Sequence, residues 1–202
     1  MEYALAYIAT AVAGYLLGSI PFAVIIASCC RVDILKAGSG NPGATNVKRT
    51  CGKIPGNLCF VLDAAKGFAA ASFPVWAGYF GLKMADTQIL EFVGLAAAIL
   101  GHSFSIFLKF RGGKGVSVTI GGLLFVMLYP ILIGLAIWVA VFYASRYVSL
   151  ASLAMAVSLP VSSWFIFGNS LPFYMALAIA AVIFYRHRSN ISRLIKGTEN
   201  RF

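Results

Sequence analysis

Three stretches of this chain carry no charge: residues 3–30, 115–145 and 147–185, which are 28, 31 and 39 residues long. A helix crosses a bilayer with about 20 apolar residues, so the first run suffices for one crossing, the second is long for one, and the last suffices for two. Charged residues make up 11% of the 202, whereas a soluble domain has about a quarter. One water-soluble core could not hide so much apolar surface, and the chain reads as an integral membrane protein.

The remaining sequence fits the same frame. A basic loop covers residues 31–53, and apolar residues 54–82 follow, interrupted by Asp63 and Lys66. A short loop holds Lys83 and Asp86, and residues 92–108 form a third span. In 115–145, Gly121-Gly122 and Pro130 predict two shorter pieces with a turn near Pro130. In 147–185, "GNSLP" at 168–172 is the natural turn. Gly14 and Gly18 in the first span are spaced for close helix contact. Only Glu2 precedes that span, so it reads as a retained helix and not a cleaved signal, which would begin with a basic region.

The expected fold is therefore all-α: a polytopic membrane protein of one domain over residues 1–202, with seven transmembrane helices. With the N-terminus outside and the C-terminus cytoplasmic, 14 of the 16 Lys and Arg fall in the inner regions 31–53, 109–114, Arg146 and the tail. Cytoplasmic loops of membrane proteins carry such an excess. Five crossings, with the two long runs as single kinked helices, place the C-terminus on the same side. The formal net charge of +10 suits anionic head groups or phosphorylated substrates. Basic residues scattered between hydrophobic spans do not suit nucleic acid. Cys29, Cys30, Cys51 and Cys59 have no metal-binding spacing, and no metal or cofactor is expected.

The polar motifs gather on the cytoplasmic side. In "GSGNPGATNVKR", Gly38 and Gly40 let backbone N–H groups converge on an oxyanion, Asn41 and Asn46 lie in the same run, and Ser39 or Thr45 adds a hydroxyl. Arg49 can grip a phosphate through two parallel hydrogen bonds. In "DAAKG", Asp63 and Lys66 stand one turn apart within a span; either they serve function, as intramembrane charges do by default, or they pair and hold helices. In "GHSFSIFLKFRGGKG", Gly112, Gly113 and Gly115 surround Lys114 directly before a helix, as a phosphate cradle would, and His102 lies within the third span. Gly115 follows Lys114 where a nucleotide-binding loop needs Ser or Thr. In "YRHRSNISRLIKG", His187 and Asn190 share a face if the helix continues, and the turn at Arg146 adds Ser149 and Ser152.

No GxSxG elbow is present, and neither His102 nor His187 has an Asp five residues on. Phosphate cradles without an obvious protein nucleophile point to a substrate that arrives already activated. An organic-phosphate transporter is the second reading, although such proteins show internal repeats and broken helices near the midplane.

Together, "GSGNPGATNVKR", "DAAKG", "GHSFSIFLKFRGGKG" and "YRHRSNISRLIKG" resemble the bacterial membrane acyl-phosphate:glycerol-3-phosphate acyltransferases, in that family's order, from residue 38 to about 197. The resemblance implies a seven-helix inner-membrane enzyme with its active site facing the cytoplasm. It would move a fatty acyl group from acyl phosphate to the 1-hydroxyl of glycerol 3-phosphate, giving lysophosphatidic acid and phosphate in the first acylation of phospholipid synthesis. Its partners would be those substrates, membrane lipids and the enzyme that forms the acyl phosphate. Ser39, Arg49 and Lys114 are then expected to bind phosphate, with Lys66 and His102 lining the substrate site. The glycines of 112–115 would shape the acceptor pocket, and His187 and Asn190 would orient the acceptor. The general base is either His187 or an oxygen of a substrate phosphate.

Overall fold

The computed structural model describes residues 2–80 and 86–202; the expected loop residue Lys83 lies outside them. Among the described residues every regular element is a helix: α1 Glu2–Ser19, α2 Phe22–Cys29, α3 Ala44–Cys51, α4 Lys53–Tyr79, α5 Thr87–Ser103, α6 Val116–Val126, α7 Leu128–Ser145, α8 Val148–Phe167, α9 Leu171–Arg186 and α10 Arg188–Ile195, with a 3₁₀ turn at Ile106–Leu108. Five stretches are long and apolar enough to cross a membrane: Ala4–Cys29, Lys53–Tyr79, Thr87–Leu108, Leu128–Ser145 and Val148–Phe167. Val116–Val126 and Leu171–Arg186 are apolar but shorter. The chain divides into two compact units, Met1–Val126 and Met127–Phe202.

In the first unit α1 packs on α5, and α4 packs on both α5 and α6. Small residues set these distances. A Cβ on Gly14 would collide with the Gly94 carbonyl, and one on Gly18 with the backbone at Ala98. Gly14 and Gly18 thus face Gly94 and Ala98 at matching four-residue spacing, and the expected close contact is present. Without a hydrophobic drive between helices in lipid, such close backbone packing supplies much of the association. On the other side of α1, Leu5, Ile8, Val12 and Leu16 are exposed at helical spacing, a face suited to lipid.

Two sequence expectations need correction and one is sharpened. The first apolar run is not one helix: it breaks at Ile20–Pro21, where proline cannot supply the helical N–H. The run 115–145 does divide into two helices near Pro130, with the break at Met127. Pro130 sits in the first turn of α7, where its missing donor costs nothing. Gly121 and Gly122 mark no turn. They lie inside α6, with Gly121 against the Ala64 carbonyl of α4.

The second unit stacks α7 on α8 and α8 on α9, with Gly134 close to Met155 and Ser158. The expected turn at 168–172 is present, with Gly168 at φ +64° closing α8. The tail returns to the α7–α8 turn: Phe202 N–H donates to the Arg146 carbonyl (2.9 Å), and Arg201 Nε donates to the Tyr147 hydroxyl (3.0 Å).

Candidate active site

The glycine-rich segment before α3 is a built loop. Gly38 and Gly40 have φ of +58° and +67°, the left-handed region that glycine enters without strain. Asn46, on the first turn of α3, folds the loop onto itself. Its Oδ1 accepts the Ser39 backbone N–H (2.9 Å), and its Nδ2 donates to the carbonyls of Ala37 (3.0 Å) and Ile34 (3.3 Å). Asn46 is buried, so its side chain serves the loop backbone. Ser39 and Arg49 are exposed, and Asn41 is half-buried.

The second glycine loop docks onto the end of α5. Gly112 N–H donates to the Ser103 carbonyl (3.1 Å) and Gly113 N–H to the His102 carbonyl (2.9 Å). No side chain fits there: a Cβ on Gly112 would strike the His102 carbonyl oxygen, and one on Gly113 would strike His102 Nε2. The same Cβ on Gly113 would lie 3.0 Å from the Pro42 carbonyl, so the two glycine loops adjoin. Lys114 follows, half-buried, and Gly115 turns into α6 at φ +81°. Before them, Lys109 and Phe110 hold φ of +51° and +62° without being glycine, which costs conformational energy and marks an over-determined turn.

Beneath these loops lies a buried polar cluster. Lys66 Nζ stands 2.8 Å from Asp63 Oδ1 and donates to the Ile20 carbonyl at the α1–α2 break (2.7 Å). His102 Nδ1 is 3.6 Å from the same carboxylate oxygen. Asp63 and Lys66 therefore do pair at i, i+3, and they also reach beyond their own helix. A small recess opens among Ser19, Pro42, Lys66, His102, Ser105 and Gly113.

The second unit has its own cluster, centred on Glu199. Its carboxylate accepts from Ser149 Oγ (3.0 Å), Asn190 Nδ2 (2.7 Å) and Arg193 Nε (2.7 Å). Burial works to raise this carboxyl, but the hydrogen bonds from Asn190, Arg193 and Ser149, with the Arg193 charge, outweigh it and hold it below its ordinary value. Asn190 Oδ1 is buried with no hydrogen-bond partner among the described residues. His187 caps α10, its Nδ1 2.8 Å from the Ile183 carbonyl. A carbonyl only accepts, so Nδ1 carries the proton and the neutral ring has its lone pair on Nε2. Ser152 turns away from this cluster; its hydroxyl donates to Val148 and accepts from Trp138 Nε1.

Sequence reasoning missed Glu199. Its signal was available: it is the last of six acidic residues, alone in a tail with five basic ones. The linking position of His102 had no signal, because it depends on three segments meeting.

The sequence model of the family described as glycerol-3-phosphate acyltransferase matches residues 8–197. A glycerol-3-phosphate acyltransferase from Endomicrobium trichonymphae is 45% identical over 188 residues, covering 93% of this chain and 91% of its own. That from Aquifex aeolicus is 44% identical over 191 residues, covering 93% and 95%. The crystal structure of PlsY, an integral membrane glycerol 3-phosphate acyltransferase, is similar in its glycerol 3-phosphate form: TM-score 0.86, 40% identity, 97% of this chain and 95% of that one. Its lysophosphatidic acid form gives a TM-score of 0.84.

Proposed function

Because the chain belongs to the glycerol-3-phosphate acyltransferase family, we propose that it acylates the 1-hydroxyl of glycerol 3-phosphate to give lysophosphatidic acid, with acyl phosphate as the donor. The observation that carries this reading is that the family match, residues 8–197, takes in both glycine loops and the His187–Asn190 helix. It runs through both units, which supports one catalytic domain over 1–202. It also favours the enzyme over the transporter reading.

Acyl phosphate is a mixed anhydride. The glycerol oxygen attacks its carbonyl carbon, the bond from that carbon to the phosphate oxygen breaks, and phosphate leaves with the electron pair. No covalent enzyme intermediate is required. The protein's task is to hold two anionic substrates together and to stabilise the developing oxyanion. Ser39, Arg49 and Lys114 are the phosphate-binding groups. The close docking of Gly112 and Gly113 on His102 supports their role in shaping the acceptor pocket before α6, with Lys66 and His102 beneath it. Gly38, Gly40, Asn41 and Asn46 form the loop that presents Ser39.

In the second unit, Asn190 Oδ1 is a buried acceptor suited to a glycerol hydroxyl. The proton of the attacking hydroxyl passes to His187 Nε2 or to a substrate phosphate oxygen. Turnover retained in a purified His187→Ala variant removes the histidine from that step.

Seven crossings with a cytoplasmic C-terminus remain the preferred topology, supported by the placement of 14 of 16 basic residues. At 11 residues α6 is about 16 Å long, half the hydrocarbon core, so with seven crossings at least one of its ends sits within the membrane boundary. The bacterial inner membrane is the expected location.

The test uses the purified protein in detergent or lipid with palmitoyl phosphate and glycerol 3-phosphate. Stoichiometric release of phosphate and lysophosphatidic acid is expected. Absence of turnover in several lipid compositions would refute the donor assignment if acyl thioesters are used instead, and the whole reading if neither is used.

A further inference from the structure

We propose that Asp63 is a positioning residue for the Gly112–Gly115 loop, acting through His102. Asp63 is 1% exposed, in the interior of a membrane-spanning helix, where an ionised carboxylate is costly unless paired. A lock within α4 would need only Lys66. Instead, three groups on two helices converge on this carboxylate. Lys66 lies 2.8 Å from Oδ1 and His102 Nδ1 lies 3.6 Å from it, while Cys59 donates its S–H to Oδ2 at 3.7 Å. The His102 contact is longer than a hydrogen bond and acts as charge on dipole.

His102 is the link to the loop. Its carbonyl accepts the Gly113 N–H (2.9 Å), and its ring end lies where a Gly113 side chain would otherwise be. A carboxylate facing Nδ1 favours the Nδ1–H tautomer and orients the ring, so that its Nε2 end stays packed against Gly113. Lys114 is the next residue. A change at Asp63 therefore reaches Lys114 through one imidazole and one glycine, with no contact between Asp63 and substrate required. Lys66, on the same carboxylate, fixes the Ile20 carbonyl and keeps the α1–α2 break against this floor.

The inference rests on the reading that the Gly112–Gly115 loop binds glycerol 3-phosphate, so the experiment separates the two. Full-length Asp63→Asn, His102→Gln and Lys114→Ala variants are purified, and KM is measured for each substrate. Asp63→Asn is expected to raise KM for glycerol 3-phosphate about tenfold, with KM for acyl phosphate changed less than about twofold. His102→Gln, which keeps the Asp63–Lys66 pair, should do the same. The double variant should be no worse than the more affected single one, because the two act in series.

A normal KM in Asp63→Asn, or an equal rise for both substrates, overturns the proposal. If Asp63→Asn does not fold, Asp63→Glu, which moves the carboxylate by one methylene, takes its place: a selective rise upholds the relay and a normal KM overturns it. Lys114→Ala with both KM values unchanged overturns the loop assignment, and the relay with it. A raised KM in Lys114→Ala beside normal values in the other two overturns only the relay.

Discussion

Asn46 and Ser39 are joined by a single 2.9 Å hydrogen bond from the Ser39 N–H to Asn46 Oδ1, while the other end of the same amide holds Ala37 and Ile34. The amide is thus used at both ends, and the orientation is dictated by its partners: an oxygen must face the N–H and a nitrogen the carbonyls. The loop that carries Ser39 is fixed by a residue that has no need to meet the substrate.

That relationship makes Asn46→Asp more damaging than its size suggests. The substitution is isosteric but sets a carboxylate oxygen against two carbonyls. A cost of about 1–3 kcal/mol in loop stability is expected, with an activity loss of tenfold or more. Amide exchange at Ser39 and its neighbours, followed by mass spectrometry, checks the first; turnover checks the second. Exchange as slow as in the parent protein would show that the brace is not needed.

Gly18 and Gly168 test space against conformation. At Gly18 a Cβ meets the Ala98 backbone, so Gly18→Val should separate α1 from α5 and lower the detergent melting temperature sharply. At Gly168 nothing lies within 4 Å, but φ +64° with ψ −149° is a backbone region open essentially to glycine alone, so Gly168→Ala should cost about 1–3 kcal/mol through strain and not through a clash. An unchanged melting temperature in Gly18→Val would contradict the packing account.

Glu199 gives a pH dependence whose sign follows from its depressed pKa. The carboxylate's contribution is present above the carboxyl's ordinary unfolded value and is lost as pH falls through the lower folded value. Acid should therefore release the tail, and Glu199→Gln should abolish that particular transition. Glu199→Ala, which strands Asn190 Nδ2 and Ser149, should destabilise the second unit by about 1–3 kcal/mol. Limited proteolysis of the tail between pH 3 and 7 reads both; a pH-independent cleavage rate in the parent protein would contradict the assignment.

Arg49 is exposed on α3 and calls for a different test. Arg49→Lys keeps the charge but loses the planar two-pronged donor, so kcat/KM should fall about tenfold or more while folding is unaffected. Full activity in Arg49→Lys would reduce the residue's part to simple charge.

Much of this protein was legible in its residues. Charge-free runs fixed the membrane class and the helices, because an apolar side chain has the same preference wherever the chain goes. Gly14 and Gly18 announced a close helix contact, and the motifs named the family. Interruptions were less legible: Pro21 broke a run that composition made continuous, and Gly121 looked like a turn until Ala64 lay against it. What only the tertiary structure decided was which polar groups meet. Asn46 lay in a motif, and only the fold set its amide against the backbone of Ser39, Ala37 and Ile34. Asp63 looked like half of a local pair and is joined by His102, 39 residues away. Glu199 looked like one charge in a tail and gathers Ser149, Asn190 and Arg193. The physical reason is that burial is read one residue at a time, whereas a hydrogen bond or ion pair needs two groups within about 3–4 Å, a distance set by how the helices pack and not by either residue alone.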